Sequence, residues 1–279
     1  MRSKFITYLI FFGPISSFIF GLLFVPIIAN IWYSFHRWQG VGSEPIFVGL
    51  ENYIALFSDS DFLLTLFNVA RYVSFILPLV VLVPLFLAVT FQQDDKWSKI
   101  VRSVVIFPFA FSMVVEGVLW RWVYQPHVGP ASLLKIDIIG NYATAIYGVA
   151  FVAFWQAMGF YMYMFLAGIG SIDTALYESA KIDGASSLQI FRYITLPLLK
   201  PTLAFVVTMA LIWNIQTFDP VFVVTHGGPG FSTLTPVFYV YWLAFNRQDI
   251  GYASTVAVIL LIITLIIAST SLKLFQRGE

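Results

Sequence analysis

Ser171 to Pro201 reads SIDTALYESAKIDGASSLQIFRYITLPLLKP. Long apolar runs flank it on both sides, yet it carries Asp173, Glu178, Lys181, Asp183 and Arg192, and that many charges exclude it from hydrocarbon. Local signals nevertheless predict order. Asp173 is placed to cap a helix, with Ile172 before it and Tyr177 four positions in forming a hydrophobic staple. The first helix is expected over Thr174 to Asp183, with Leu176 and Ala180 on one face. Gly184 follows where a helix wants a left-handed residue, and Ser186 with Gln189 three residues later spells a capping box for a second helix. That second helix is expected to stop before Pro197. The stretch therefore predicts helix, glycine turn, helix, held at a membrane surface.

The rest of the chain supplies the membrane. Of 279 residues, 59% are hydrophobic and only 10% charged, with a mean hydropathy of +0.87, far outside soluble usage. A net charge of +1 gives no basic field for a nucleic-acid partner. The chain contains no cysteine, which removes disulfides, thiolate metal sites and cysteine nucleophiles. The apolar run after Lys4 continues through Trp32; it is about twice the length of a signal-peptide core and is expected to stay as a first span.

A hydrocarbon layer of about 30 Å needs roughly 20 helical residues, and six segments meet that length: Phe5 to Ser34, Leu63 to Phe91, Ile100 to Tyr124, Tyr142 to Gly170, Pro201 to Val224 and Tyr252 to Phe275. The expected fold is an all-α membrane protein of six transmembrane helices in a single domain over residues 1–279. Pro14, Pro26, Pro78, Pro84 and Pro108 fall inside these spans and are expected to kink them. With the N-terminus inside, the inner side holds Arg2, Lys4, Lys96, Lys99, Arg102, Lys181, Arg192, Lys200, Lys273 and Arg277. The outer side holds Arg37, Arg71, Arg121, Lys135 and Arg247. Ten against five favours both termini inside and places 171–200 in the cytoplasm. The outer loops are then His36 to Phe62, Gln125 to Asn141 and Thr225 to Gly251.

Tyr177-Glu178-Ser179-Ala180, then Asp183-Gly184-Ala185, then Ile194-Thr195-Leu196-Pro197 resembles the cytoplasmic loop shared by permease subunits of binding-protein-dependent ABC importers. Glu-Ser-Ala stands here where that family has Glu-Ala-Ala. Gly227-Gly228-Pro229 with Ser232-Thr233, and Phe245 with Gly251-Tyr252-Ala253-Ser254 beyond, are similar to the carbohydrate branch. The alternative is an ordinary amphipathic connector lying on lipid. The resemblance implies the type I importer permease fold, with 171–200 as a coupling loop docked in a cleft on an ATPase. Tyr177, Glu178, Ser179, Ala180, Asp183, Gly184 and Ala185 would form that coupling site. It further implies a second homologous permease, an ABC ATPase dimer, an extracytoplasmic solute-binding protein and a carbohydrate cargo moved by alternating access, with lipid around the spans. No G-x-x-x-x-G-K-[ST] phosphate loop occurs, so no cofactor is expected in this chain and ATP with Mg would bind the partner ATPase.

Other motifs are weighed against plainer readings. His226-Gly227-Gly228 resembles an oxyanion-hole run, but no G-x-S-x-G nucleophile accompanies it, so a tight turn is expected. His36, His127 and His226 are isolated and not spaced as metal ligands. Polar groups inside spans are costly unless they meet a partner or a wet cavity. They are Glu116, Gln156, Asn214, Gln216 and Asp219. Glu116 has Arg121 nearby, at a spacing unfavourable for a helical pair; Asp219 precedes Pro220, where capping is an equal reading. Aligned on the loop, the resemblance places Phe154, Gln156, Ala157, Phe160, Asn214 and Thr217 along a sugar cavity. Trp155, Tyr161 and Trp213 are read either as part of that aromatic surface or as packing. Import of another solute such as glycerol phosphate, a membrane-embedded transferase and an ATP-independent channel remain the alternatives.

Overall fold

The computed structural model describes residues 2–276, with side chains from 11 to 271 apart from Leu134. Arg277, one of the basic residues counted on the inner side, lies outside the described residues, and the side chains of Arg2, Lys4 and Lys273 lie outside the described set as well. The chain opens with α1 (Arg2–Ile19), which passes through a π-helical turn at Phe20–Phe24 into α2 (Val25–Ser34). Strands β1 (His36–Arg37) and β2 (Ile46–Phe47) pair antiparallel, His36 opposite Phe47. Then come α3 (Glu51–Leu56), α4 (Ser60–Thr90), α5 (Lys96–Ile106) with a 3-10 turn at Phe107–Ala110, and α6 (Met113–Val123). After a 3-10 turn at Pro130–Leu134 comes α7 (Ala145–Gly170), followed by α8 (Thr174–Ile182) and α9 (Ser187–Ile190). A π-helical turn at Phe191–Thr195 leads through α10 (Leu196–Leu198) to α11 (Lys200–Ile215) and α12 (Asp219–Val224). Last are α13 (Pro236–Tyr241), a π-helical turn at Trp242–Asn246, and α14 (Ile250–Gln276).

Among the described residues four stretches are unbroken and apolar enough to cross a membrane: Phe11–Ser34, Ser60–Thr90, Ala145–Gly170 and Ile250–Ser271. Two more count only as bent pairs, so the number is four, or six when each pair is one span. The expected third span, Ile100 to Tyr124, bends by 101° between Lys96–Ala110 and Met113–Val123. Pro108 lacks an amide donor, Phe111 and Ser112 adopt extended backbone, and the Ser112 hydroxyl accepts from the Val115 amide to restart the helix. The expected fifth span, Pro201 to Val224, stops at Ile215 and restarts at Asp219, beside Pro220. Its approach bends too, by 67° between Ser187–Leu198 and Lys200–Ile215. By contrast Pro14, Pro78 and Pro84 sit inside continuous helices. The segment Thr225 to Gly251, expected as a loop, holds helix over Pro236–Asn246.

The chain divides into two compact units, the first made of the chain up to Leu63 with Tyr239–Ile262, the second of Leu64–Phe238 with the chain from Ile263. In the first, Leu56, Phe62, Tyr239, Leu243 and Val256 are buried together with the Asp59 hydrogen bonds. The Asp59 carboxylate accepts from the hydroxyls of Tyr239 at 2.7 Å and Tyr252 at 2.9 Å, and from the amides of Asp61 and Phe62. Thr255 donates to the Ser34 carbonyl, 3.1 Å, fixing α14 to the end of α2.

The second unit is built around α7, whose Ile146, Val149, Val152, Met162 and Phe165 are fully buried. Small residues recur along it at Ala145, Gly148, Ala150, Ala153 and Gly159, all buried, which lets neighbouring helices approach closely where lipid gives no hydrophobic drive. Gly159 is the tightest of these approaches. A Cβ there would collide with the Val105 carbonyl and the Ile106 backbone, so α5 and α7 meet main chain to main chain.

Candidate functional site

The first candidate is the hairpin α8–α9, and its local sequence explains it fully. Asp173 Oδ1 accepts from the Ala175 amide at 2.9 Å, so the predicted N-cap forms. Asp183 ends α8, and Gly184 takes φ +77°, a conformation that an added Cβ resists. The Ala185 amide then bonds the Ala180 carbonyl at 2.9 Å, and the Gly184 amide bonds that of Lys181 at 3.1 Å, satisfying the last carbonyls of α8. Ser186 and Gln189 complete a reciprocal capping box. The expected stop before Pro197 is corrected: helix continues to Leu198. The π-turn lets the Leu196 amide reach back to Phe191, so the chain has left the α-ladder that proline would break.

Glu178, Ser179, Asp183 and Gly184 stand exposed on this hairpin, while Tyr177, Ala180 and Ala185 are half-buried. The Tyr177 hydroxyl lies 3.3 Å from Thr195 Oγ1, tying the first helix to the π-turn. Apolar side chains point outward: Ile182 is 86% exposed and Leu188 74%. Beside them Asp183, Gly184, Gln189 and Tyr193 line a groove of about 290 Å³. An ordered element with a folded interior and an apolar exterior is a surface shaped to receive another body.

The second candidate is a cavity of about 300 Å³ within the second unit. Of the six residues assigned to a cavity from sequence, Gln156, Ala157, Asn214 and Thr217 line it. Phe154 and Phe160 do not line it. Phe154 is buried in α7, and Phe160 stacks on Phe109 at 5.1 Å and packs against Trp213 at 5.3 Å. Tyr161 and Trp213, read either way from sequence, line the wall, as do Gln216 and Asp219. Sequence reasoning missed Tyr72 and Met113, which come from α4 and α6 and carry no local motif.

Both helix breaks open onto this space. Met113 follows the break before α6; Gln216, Thr217 and Phe218 form the gap between α11 and α12. Main chain that leaves helical bonding needs other partners inside a membrane. Gln156 Nε2 donates to the Phe111 carbonyl at 3.1 Å, and Thr235 Oγ1 donates to the Thr217 carbonyl at 3.0 Å. Thr217 Oγ1 donates to the Tyr72 hydroxyl at 3.3 Å, and Asn214 Nδ2 to the Ala210 carbonyl at 2.7 Å.

Several polar groups remain unspent. Glu116 is 2% exposed with neither carboxyl oxygen bonded, and the Trp120 Nε1 and Tyr161 hydroxyl are buried without partners. Arg121 is exposed and makes no ion pair with Glu116 among the described residues. His226 takes φ +51° and Gly227 φ +82°, closed by a Gly228 amide to Thr225 carbonyl bond. That is the tight turn expected of this run.

Residues 53–278 match the family of binding-protein-dependent transport system inner membrane components. A probable ABC transporter permease protein of Pyrococcus horikoshii is 34% identical over 100% of this chain and 99% of its own length. The arabinooligosaccharides transport system permease protein AraP of Bacillus subtilis is 32% identical, over 89% of this chain and 82% of its own. Among solved structures, a bacterial alginate ABC transporter, in complex with an alginate pentasaccharide-bound periplasmic protein, superposes with a TM-score of 0.84. It is 21% identical and covers 97% of this chain and 93% of that one, a likeness of fold.

Proposed function

Because the chain belongs to the family of binding-protein-dependent transport system inner membrane components, we propose that it is the permease subunit of an ATP-driven importer for an oligosaccharide or sugar derivative. The observation that carries the reading is the pairing of a rigid, doubly capped hairpin exposing Ile182 and Leu188 with a polar cavity at two broken helices. Relatives described as carbohydrate permeases, AraP among them, support the cargo class. In this reading Tyr177 to Ala185 dock on a separate ATPase dimer, which hydrolyses ATP with Mg. Glu178 makes a polar contact there and Gly184 sets the turn. A second, homologous permease completes the pathway, and an extracytoplasmic binding protein delivers cargo. Both termini and the hairpin lie in the cytoplasm, following the basic residues of the short loops.

The mechanism is a transfer of motion. Closure of the ATPase dimer moves two docked hairpins as rigid bodies, and the attached helices carry that movement to the cavity. ATP shifts the inward–outward equilibrium only by the amount that closed ATPase fits one state better than the other. A short hairpin held by an N-cap, a glycine reversal and a capping box transmits such a movement without loss in a flexible tether.

The test uses the copurified complex in proteoliposomes with its binding protein. Loaded binding protein is expected to stimulate ATP hydrolysis in wild type and to stimulate it several-fold less in Glu178→Ala. Equal stimulation in the variant removes the docking role, and sugar flux without ATP overturns the importer reading altogether.

A further inference from the structure

The polar wall of the cavity is unevenly equipped. Three of its donors are committed inside the protein, Gln156 Nε2 to Phe111, Asn214 Nδ2 to Ala210 and the Thr217 hydroxyl to Tyr72, while the Tyr161 hydroxyl and the Gln216 amide offer neutral donors and no cation. The amide oxygens of Gln156 and Asn214 and the Asp219 carboxylate are left as acceptors. Among the described residues no lysine, arginine or histidine lines the space. Among the described residues Asp219 makes no ion pair. Glu116, one helical turn beyond the cavity-lining Met113, is buried without a partner and does not itself line the space.

From this we infer that the cavity admits saccharides that are neutral or amine-bearing and excludes acidic ones such as uronates and sugar phosphates. The word saccharide rests on the proposed function; the charge preference rests on the wall alone. Hydroxyls and ammonium groups donate to free acceptors, whereas a carboxylate or phosphate can only accept. An anion here would face the Asp219 carboxylate with no cationic side chain in the wall to offset it. Discrimination by an unpaired repulsive charge is a general route to specificity. The similarity of fold to an importer of acidic polysaccharide therefore does not extend to cargo charge. The aromatic face of Trp213, exposed in the wall, suits the apolar side of any sugar ring and attracts a cation rather than an anion.

The absence of cysteine from this chain permits a direct measurement. Gln216→Cys places one thiol in the cavity of the assembled complex, and Ala157→Cys places one on the opposite helix should the first variant fail to assemble. Each is reacted with a trimethylammonium-ethyl and with a sulfonato-ethyl methanethiosulfonate, followed by the mass of this chain, and each rate is divided by that with free 2-mercaptoethanol. The cationic reagent is expected to be favoured by about tenfold or more, and adding Asp219→Asn should lower the ratio several-fold. A ratio near one, or in favour of the anion, overturns the inference. Cellobiose and its amine-bearing counterpart, chitosan disaccharide, are expected to slow labelling, and cellobiouronic acid to leave it unchanged. Protection by the uronate also overturns the inference. A cation preference without protection by any of these sugars overturns the carbohydrate reading and leaves the charge preference standing.

Discussion

At the scale of single residues, Asp59 holds two tyrosines at once. Burial raises its carboxyl pKa, but hydrogen bonds from Tyr239, Tyr252 and two backbone amides outweigh that and hold it below the ordinary 3.8. Burial and the same carboxylate push the Tyr239 phenol up, so the phenol stays a donor at working pH. With the folded value below the unfolded one, the contribution of Asp59 is complete above the unfolded value and is lost as pH falls through the folded one. Asp59→Asn is expected to cost about 1–2 kcal/mol at neutral pH, and to flatten the loss of thermal stability on acidification below about pH 4 that wild type should show; a thermal-shift series in detergent reads both. Residues whose role is local were legible in the chain: Asp173, Gly184, Ser186 and Gln189 act on neighbours within a few positions. Tyr72 was not, because its partner Thr217 stands 145 positions away. Glu116 could be singled out as costly, while its lack of any partner is a fact of three-dimensional packing.

At the scale of elements, the hairpin is held by caps of modest individual strength. Ser186→Ala removes half of the capping box and is expected to cost about 1 kcal/mol, which speeds amide exchange across Ser187–Ile190 about fivefold. Exchange in α7 should be unchanged, and hydrogen-exchange mass spectrometry resolves the two. Apolar length located the four unbroken stretches long enough to cross a membrane and two more that count only as bent pairs, since the hydrocarbon thickness sets a minimum that chance runs do not reach. The breaks were a different matter. Five prolines were expected to kink spans, yet α4 carries Pro78 and Pro84 without a break, whereas the turn at Pro108 is followed by a 101° bend. The difference is what lies beside the proline: Ser112 offers a new cap and Gln156 a donor for the freed carbonyl. The second of these comes from another helix, beyond the reach of sequence periodicity.

For the whole molecule, orientation is the property that loop charge predicts. Alkaline phosphatase, active only outside the cytoplasm, is expected to be active when joined after Lys135 and inactive when joined after the last residue; activity patterns read on colonies check this, and the reverse pattern would invert the topology. In that expected topology the hairpin faces the cytoplasm and the turn at His226 the outside. One feature of the chain's construction bears on how such a molecule can change over generations. The π-helical turns at Phe20–Phe24, Phe191–Thr195 and Trp242–Asn246 each accommodate one residue more than an α-turn. Each is a spare notch. Losing that residue would return the helix to α-register and swing whatever it carries by about 100°. Phe191–Thr195 follows directly on the hairpin, so a single codon gained or lost there re-aims the hairpin while its caps and its glycine stay intact.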